Sequence, residues 1–272
     1  MSQVPESVRS LITTGSAILG ASAAGALEFL AQDPAAAAAA GAAGVVIAKA
    51  AEAVLADLAS RHLSGRERAR VGAASLIALT RIRERLDAGD SLRDDGFLPS
   101  GSPFESGAAE ILEGVLLRAK NEHQERKVEL LGRFFANLAF APSVSADQAN
   151  YMLYLVEALT FRQLCFLALL ERKGLIDAIP LSNAELEDPG LRSHPELAAF
   201  LQEIYRAADL GLMFRPTDEL RGQFQFERDR FITPVSIGLS PLGERLAALL
   251  DLDQLPNEDI NPCATLLHLS FP

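Results

Sequence analysis

The sequence contains no tryptophan and only three tyrosines, two cysteines and four histidines in 272 residues. Cys165 and Cys263 lie far apart, and neither has a second cysteine or a histidine at metal-ligand spacing. No two histidines stand four residues apart, which would place two imidazoles on one helix face. We therefore expect no metal site. Because Cys165 lies in an apolar helical run, we expect it to be a buried, reduced thiol.

Sequence motifs for common enzyme chemistry are also missing. No glycine-rich loop is followed by Lys and Ser or Thr, and no serine lies in a Gly-x-Ser-x-Gly pattern. The spacing of serine, histidine and acidic residues does not combine them into a catalytic set. We expect a protein that is not an enzyme, with no catalytic residue and no cofactor.

The charge is acidic and unevenly distributed. The formal net charge is −11, divided into −3 for residues 1–150 and −8 for residues 151–272. Such a second half argues against a broad phosphate-binding surface there. The first six residues lack the basic start of a signal peptide. We expect a protein of the cytoplasm, or one associated with the inner face of the membrane.

Alanine and leucine dominate, and apolar residues recur at helical spacing, so the sequence predicts a mostly α-helical fold. Local signals predict a capping box at Ser64–Glu67 and another at Thr160–Gln163. Between them we expect a loop at 90–101 and one long helix over 102–140. The predicted helices cover residues 8–31, 34–62, 64–88, 102–140, 146–158, 161–173, a short segment after Ser182, and 193–210.

The pattern after residue 210 changes to that of strands. Residues 223–226 alternate, residues 231–239 are rich in β-branched side chains, and residues 241–250 return to helix. The order of helices, two strands and a helix predicts a winged-helix-like domain at 145–252 with a small β-hairpin. It follows an N-terminal Ala/Gly-rich helical bundle at 1–141. The tail, residues 253–272, contains three prolines and is expected to be extended.

A cluster of arginines between positions 61 and 85 is the most suggestive charged feature. Arginine binds phosphate bidentately, so the cluster is a candidate contact for an anionic surface, whether lipid or nucleic acid. The alternative is a solvated face that pairs with acidic residues of the same chain. The candidate contacts are Arg61, Arg66, Arg68 and Arg70.

Two uncharged, small-residue stretches precede this cluster. Residues 10–27 carry no charge over 18 positions, and residues 35–48 carry none over 14. Small residues let helix backbones approach closely, in water or in lipid. We expect residues 10–60 to form a close-packed helical hairpin, with an inserted membrane hairpin as the alternative. The glycines expected in its packing are Gly15, Gly20, Gly25, Gly41 and Gly44.

The third helix of the predicted winged helix offers an unfavourable surface for DNA. Its polar residues are Glu196, Gln202, Glu203, Arg206 and Asp209. An acidic helix is repelled by phosphates, so duplex DNA is an unlikely partner. Winged helices also serve as protein–protein modules, and we expect a protein partner or self-association instead.

Four segments between residues 129 and 243 resemble the Abi-alpha family of bacterial proteins, which are linked to abortive infection. The resemblance begins at Glu129-Leu-Leu-Gly-Arg-Phe-Phe-Ala-Asn-Leu138 and continues through 151–167, including Leu159-Thr-Phe-Arg-Gln-Leu164. It ends at Leu210-Gly-Leu212 and Ile237-Gly-Leu-Ser-Pro-Leu-Gly243. It implies an antiviral defence role and supplies no catalytic residue.

Together these features predict a non-enzymatic bacterial protein of the phage-defence or toxin type. It would act through protein contacts or through membrane disturbance by the N-terminal hairpin. The alternative is a winged-helix regulator or adaptor that binds a protein partner or nucleic acid.

Overall fold

The computed structural model describes residues 63–98, 107–179, 194–214 and 235–267 of the chain. These residues are mostly α-helical with one small sheet, as the composition predicts. The chain divides into two compact units, Met1–Ala158 and Leu159–Pro272. The helices and strands below are numbered in chain order within the described residues.

Four helices are described in the first unit: α1 (Gly65–Asp87), α2 (Gly107–Asn121), α3 (Glu125–Leu138) and α4 (Ala146–Ala158). Helix α1 packs against both α2 and α3, and α4 packs against α2. Arg66 at the start of α1 lies beside Glu125 at the start of α3, while Arg85 near its end donates to Asn137 near the end of α3. The two helices therefore run in the same direction. The core of the first unit includes Val71 of α1, Ile111 and Leu116 of α2, and Leu131 and Phe134 of α3, all fully buried.

The start of α1 confirms the predicted capping box. The Ser64 hydroxyl accepts from the Glu67 amide at 3.3 Å, and the Glu67 carboxylate accepts from the Ser64 amide at 2.7 Å. Two backbone donors that the helix cannot pair internally are thereby satisfied. The interaction of the Glu67 carboxyl with the Ser64 hydroxyl lowers the pKa of Glu67, and the hydrogen bond that the carboxyl accepts from the Ser64 amide lowers it further.

The predicted loop after α1 is confirmed over residues 90–98. It is held by Arg93, whose guanidinium is buried beneath the loop and lies 4.1 Å from the ring centre of Phe97. The same guanidinium donates to the carbonyls of Leu138 and Val144 and to the carboxylate of Asp95. One arginine therefore joins the loop to the segment that follows α3.

The single helix predicted over 102–140 is wrong, because the chain breaks after Asn121 and restarts at Glu125. At the break, Gln124 adopts an extended backbone, with φ −88° and ψ 91°. The Glu122 carboxylate accepts from the Gln124 amide at 2.8 Å, so a side chain replaces the helical backbone partner. The carboxylate also pairs with Lys127, which fixes the turn between α2 and α3.

The domain boundary also differs from the predicted one. The sequence places the boundary at 141–145, whereas the compact units divide after Ala158. Helix α4 therefore belongs to the first unit, where its Leu153 side chain lies against Gly114 of α2. The buried face of α4, which includes Ala149, Met152 and Val156, explains this assignment.

The second unit is built around α5 (Phe161–Lys173), whose residues 163–170 are all buried. Its predicted capping box is confirmed, with Thr160 and Gln163 exchanging both hydrogen bonds. The helix ends at Gly174 with φ 75°, a backbone conformation that favours glycine. The remaining described helices are α6 (Pro195–Asp209), α7 (Pro241–Leu250), the 3₁₀ turn Leu252–Gln254 and α8 (Asn257–Leu266).

Three antiparallel strands form the sheet, in the order β1–β3–β2. They are β1 (Leu175–Ile179), β2 (Met213–Phe214) and β3 (Val235–Leu239). Leu175 pairs with Gly238 and Met213 with Leu239, and the pairing of β1 is irregular between Ile176 and Ile179. Strand β3 matches the last part of the predicted strand at 231–239. The sequence pattern does not predict β1 or β2.

The tail predicted to be extended is helical over 257–266, so that prediction is wrong there. Pro256 lies at the cap before the helix, where a missing amide is tolerated, while Pro262 lies within it. The helix nevertheless forms because Ile260, Cys263 and Ala264 are buried where it packs against α5. Burial of this apolar face outweighs the local preference of proline.

Several sequence predictions lie outside the described residues. They are the hairpin of residues 10–60, the helix after Ser182, the strand at 223–226 and the tail beyond 267. The packing glycines Gly15, Gly20, Gly25, Gly41 and Gly44 and the candidate contact Arg61 lie outside them as well.

Candidate functional site: a basic cluster at the start of helix α1

The arginines that the sequence singles out follow one another along α1, but their surroundings differ between its two ends. Those near the end of the helix are neutralised within the first unit. Arg81 lies 3.4 Å from Glu84, Arg83 lies 3.6 Å from Asp87, and Arg85 lies 2.7 Å from Asp90. For these three arginines, the structure agrees with the alternative interpretation, a solvated helix face whose arginines pair with acidic residues of the same chain.

The arginines at the start of α1 are less compensated. The Arg66 side chain is 82% exposed and reaches Glu125 only at 3.7 Å. Arg68 is exposed, and the described residues place no carboxylate within ion-pair distance of it. Arg70 is partly buried and donates to the carbonyl oxygen of Lys120 at 3.3 Å. At least two guanidinium groups here are therefore open to an external anion.

The hydrogen bond from Arg70 brings Lys120, in the last turn of α2, to the same end of the first unit. We call Arg66, Arg68, Arg70 and Lys120 the basic cluster. Residues 64–70 and 120–127 together hold six lysines and arginines and three glutamates. This excess of positive charge stands in a chain whose net charge is −11.

The sequence pattern misses Lys120 as a member of the site. Lys120 lies in the polar centre of what looks like one continuous helix, with no glycine or proline to indicate a turn. Only the break at 122–124 and the packing of α2 on α1 bring it close to Arg70. No local sequence pattern indicates the contact between Arg70 and Lys120.

A buried ion pair lies beside the cluster and holds the turn in place. The Lys127 ammonium lies 2.7 Å from the Glu122 carboxylate, and the two side chains are only 4% and 9% exposed. Burial alone would raise the pKa of Glu122, but the hydrogen bonds from Lys127 and from the Gln124 amide lower it. Glu122 is therefore a carboxylate near neutral pH, and its contact with Lys127 serves as structural support.

The exposed face of α6 in the second unit carries little positive charge. Its exposed residues include Glu196, Gln202, Arg206 and Asp209. Glu203, predicted to lie on this face, is partly buried and accepts from Arg162 at 2.9 Å and, through its backbone carbonyl, from Gln163. The face thus offers one arginine against two exposed carboxylates, which disfavours contact with phosphates.

The two cysteines have the character of core residues. Both thiols are buried, which for Cys165 agrees with the sequence prediction. Burial raises the pKa of Cys263 to about 12, so this thiol stays protonated at neutral pH and is a poor nucleophile. Within the part of the chain that the structure describes, no group of three or more His, Cys, Asp and Glu side chains could hold a metal ion.

Three large apolar side chains of the described residues are exposed: Tyr151, Tyr154 and Phe214. The rings of Tyr151 and Tyr154 on α4 stack at 6.4 Å between centres. Phe214 is the last residue of β2 and is 45% exposed. Exposed tyrosines are frequent in protein–protein contacts because they combine apolar area with a polar end.

Of the helices in residues 63–98, 107–179, 194–214 and 235–267, none has the length and hydropathy to cross a membrane by itself.

Comparison of the chain with models of protein families, with curated proteins and with solved structures finds no match. The resemblance of the second half to the Abi-alpha family therefore stays an interpretation of short sequence segments.

Proposed function

We propose that this is a non-enzymatic bacterial protein of the phage-defence or toxin type. It acts from the cytoplasm or the inner face of the membrane, through protein contacts or by disturbing the membrane with residues 10–60. The observation that carries the proposal is the basic cluster at the start of α1, a short distance after the uncharged stretches at 10–27 and 35–48. A basic segment that flanks an apolar one is typical of proteins that meet an anionic membrane.

The chemistry of the described residues supports a role without catalysis. The buried thiol of Cys263 and the paired carboxylates of Glu67, Glu122 and Glu203 are satisfied within the fold. Each of these four groups has a hydrogen-bond or ion-pair partner within the fold, and none is aligned with a nucleophile and a base. The exposed Tyr151 and Tyr154 add a surface suited to a protein partner.

Leakage of a dye from liposomes tests the membrane-disturbing action. Ile18→Glu places a charge in the middle of the first uncharged stretch, which would cost about 3 kcal/mol in an inserted helix. We expect the full-length protein to release dye and Ile18→Glu to release much less. Ala199→Glu, which adds the same charge on the exposed side of α6, is the matched control. Equal leakage by the two variants would contradict the proposal.

A winged-helix adaptor is the second candidate, and the sheet favours it. The described strands lie in the order β1–β3–β2, with α5 before β1 and α6 before β2, and this order supports the candidate. The acidic exposed face of α6 favours a protein partner over duplex DNA. Gel-shift titration of the full-length chain at physiological salt should show no binding to duplex DNA below about 1 μM, the upper range of non-specific affinity. Tighter binding would favour a nucleic-acid regulator instead.

A further inference from the structure

We propose that the basic cluster is a docking surface for the phosphate headgroups of an anionic phospholipid bilayer. This inference rests on the proposed function, because it names the partner of that same site. It adds Lys120 to the residues that the sequence indicates and excludes Arg81, Arg83 and Arg85, although they lie on the same helix.

The first step is that the arginines at the two ends of α1 differ in how far carboxylates of the same chain neutralise them. Arg66 and Arg68 are exposed, and within the described part of the chain the carboxylate paired with Arg66 is that of Glu125, 3.7 Å away. The Glu67 carboxylate accepts from the Ser64 amide in the capping box at 2.7 Å. By contrast, Arg83 and Arg85 each have a carboxylate from the end of α1 or the residues just after it. The attraction for an external anion is therefore concentrated at the start of the helix.

The second step is the position of the cluster in the chain. The second uncharged stretch ends at Ala48, and Arg66 follows it after a short intervening segment. Cations that follow an apolar stretch within about 15–20 residues contribute to membrane orientation, and each one near an anionic surface contributes about 1 kcal/mol. Arg66 and Arg68, which lie 18 and 20 residues after Ala48, meet this spacing, while Arg70 and Lys120 add positive charge at the same end of the first unit.

The third step concerns the competing partner, nucleic acid. Stable duplex binding commonly uses about six to ten phosphate contacts along a groove or backbone. The basic cluster offers four cations, with Glu67 and Glu125 between them. The remainder of an acidic chain would repel a long polyanion, whereas a small patch can meet a bilayer through one end of a molecule. The charge and the small extent of the basic cluster therefore match a lipid surface better than they match a nucleic acid.

Vesicle co-sedimentation of the full-length protein tests the docking surface. Vesicles of phosphatidylglycerol and phosphatidylcholine in equal parts are compared with vesicles of phosphatidylcholine alone. We expect binding to the anionic vesicles only, weakened by raising the salt concentration. Arg66→Gln/Arg68→Gln should lower the partition coefficient on the order of 30-fold, since two charges are removed.

Two matched variants test whether the positive charge at the start of α1 is responsible for binding to anionic vesicles. Arg81→Gln/Arg83→Gln removes the same charge from the same helix, about 20–25 Å away at 1.5 Å per residue, and should bind like the parent. Arg66→Lys/Arg68→Lys keeps the charge and should retain binding, whereas a site that needs bidentate guanidinium geometry would lose it. Thermal unfolding of each variant shows whether the fold is preserved.

The proposal is overturned if both Gln pairs lose binding equally, or if binding to anionic vesicles is absent. Preference for duplex DNA or RNA over vesicles would also overturn it. Its failure is distinguishable from failure of the proposed function. Vesicle binding without leakage would support the docking surface and contradict membrane disturbance as the function. Leakage that persists in Arg66→Gln/Arg68→Gln would support membrane disturbance and contradict the docking surface.

Discussion

Gly132 of α3 lies so close to α1 that a Cβ atom on it would be 2.7 Å from the carbonyl oxygen of Ala74. The same atom would be 2.9 Å from the Ile77 side chain. The backbones of α1 and α3 therefore approach each other closely at this point. The absence of a side chain at Gly132 is therefore a condition of the packing in the first unit.

Gly132→Ala should destabilise the first unit by about 1–2 kcal/mol, because overpacking outweighs alanine's better helix propensity. Chemical denaturation followed by circular dichroism measures this loss. Gly114→Ala is the control, since its Cβ would approach only the end of Leu153 at 3.1 Å and the end of Arg118 at 3.4 Å. We expect a smaller loss there; an equal loss would show that backbone contact is not the cause.

Gly243 has an even closer neighbour in the second unit. A Cβ atom on it would be 2.0 Å from the carbonyl oxygen of Leu212, which itself accepts from the Ser240 amide. Gly243→Ala should therefore separate the start of α7 from the strand residues, at a cost of about 3 kcal/mol or more. The midpoint of thermal unfolding reports this change.

Gly65→Ala is the matched control for that substitution. Gly65 is also in the first turn of a helix, and nothing lies within 4 Å of a Cβ atom built there. Its unfolding midpoint should be unchanged or slightly raised. A parent-like midpoint for Gly243→Ala would mean that the strand end moves freely, which would contradict the packing described here.

The sequence predicts those elements whose signals are local. The capping boxes at Ser64 and Thr160 depend on residues three positions apart, and Gly174 ends α5 through its own backbone preference. These patterns act within one turn of helix, so they can be recognised without knowledge of the fold. The starts of α1 and α5 were predicted correctly for this reason.

The elements that could not be predicted depend on distant partners. The break between α2 and α3 is stabilised by Glu122 and Lys127, and the lysine also reaches the carbonyl of Glu157 30 residues away. Strand β1 pairs with β3, which follows only after α6 and β2 in the chain. For the same reason, Arg66, Arg68 and Arg70 can be named from the sequence, whereas Lys120 joins the cluster only through helix packing.

Glu171 on α5 provides a prediction of pH dependence. Burial raises its pKa, as do the carboxylates of Asp253 and Asp251, while the neighbouring Arg172 lowers it. A carboxyl group whose pKa is raised in the folded state binds its proton more tightly there. The stability that this proton contributes is complete below the ordinary pKa of 4.5 and is lost as pH rises through the raised value.

Glu171→Gln should therefore be more stable than the parent at pH 7, by on the order of 0.5 kcal/mol, and equal to it near pH 4. Urea denaturation at several pH values measures the difference. Glu244→Gln, which alters an exposed carboxylate of the same unit, is the matched control. A Glu171→Gln advantage that is constant across the pH range would contradict the assignment.

The buried pair of Lys127 and Glu122 supports the turn beside the basic cluster. Lys127 is 3% exposed and donates both to Glu122, at 2.7 Å, and to the carbonyl oxygen of Glu157 at 3.4 Å. Lys127→Met would leave the Glu122 carboxylate buried without its counter-ion. Such a loss destabilises by about 3–5 kcal/mol, because the remaining charge is poorly solvated.

The double variant Lys127→Met/Glu122→Gln distinguishes loss of packing from loss of charge compensation. If the unpaired carboxylate causes the destabilisation, the double variant should recover about 1–3 kcal/mol relative to Lys127→Met alone.

The pH dependence of the Lys127→Met destabilisation gives a second readout. Since the pKa of Glu122 is lowered in the folded state, the pair's contribution is present above 4.5 and is lost as pH falls through the lowered value. The Lys127→Met defect should therefore shrink in acid, where Glu122 is protonated. A defect of equal size at low and neutral pH, with no recovery in the double variant, would show that Lys127 acts through its apolar chain alone.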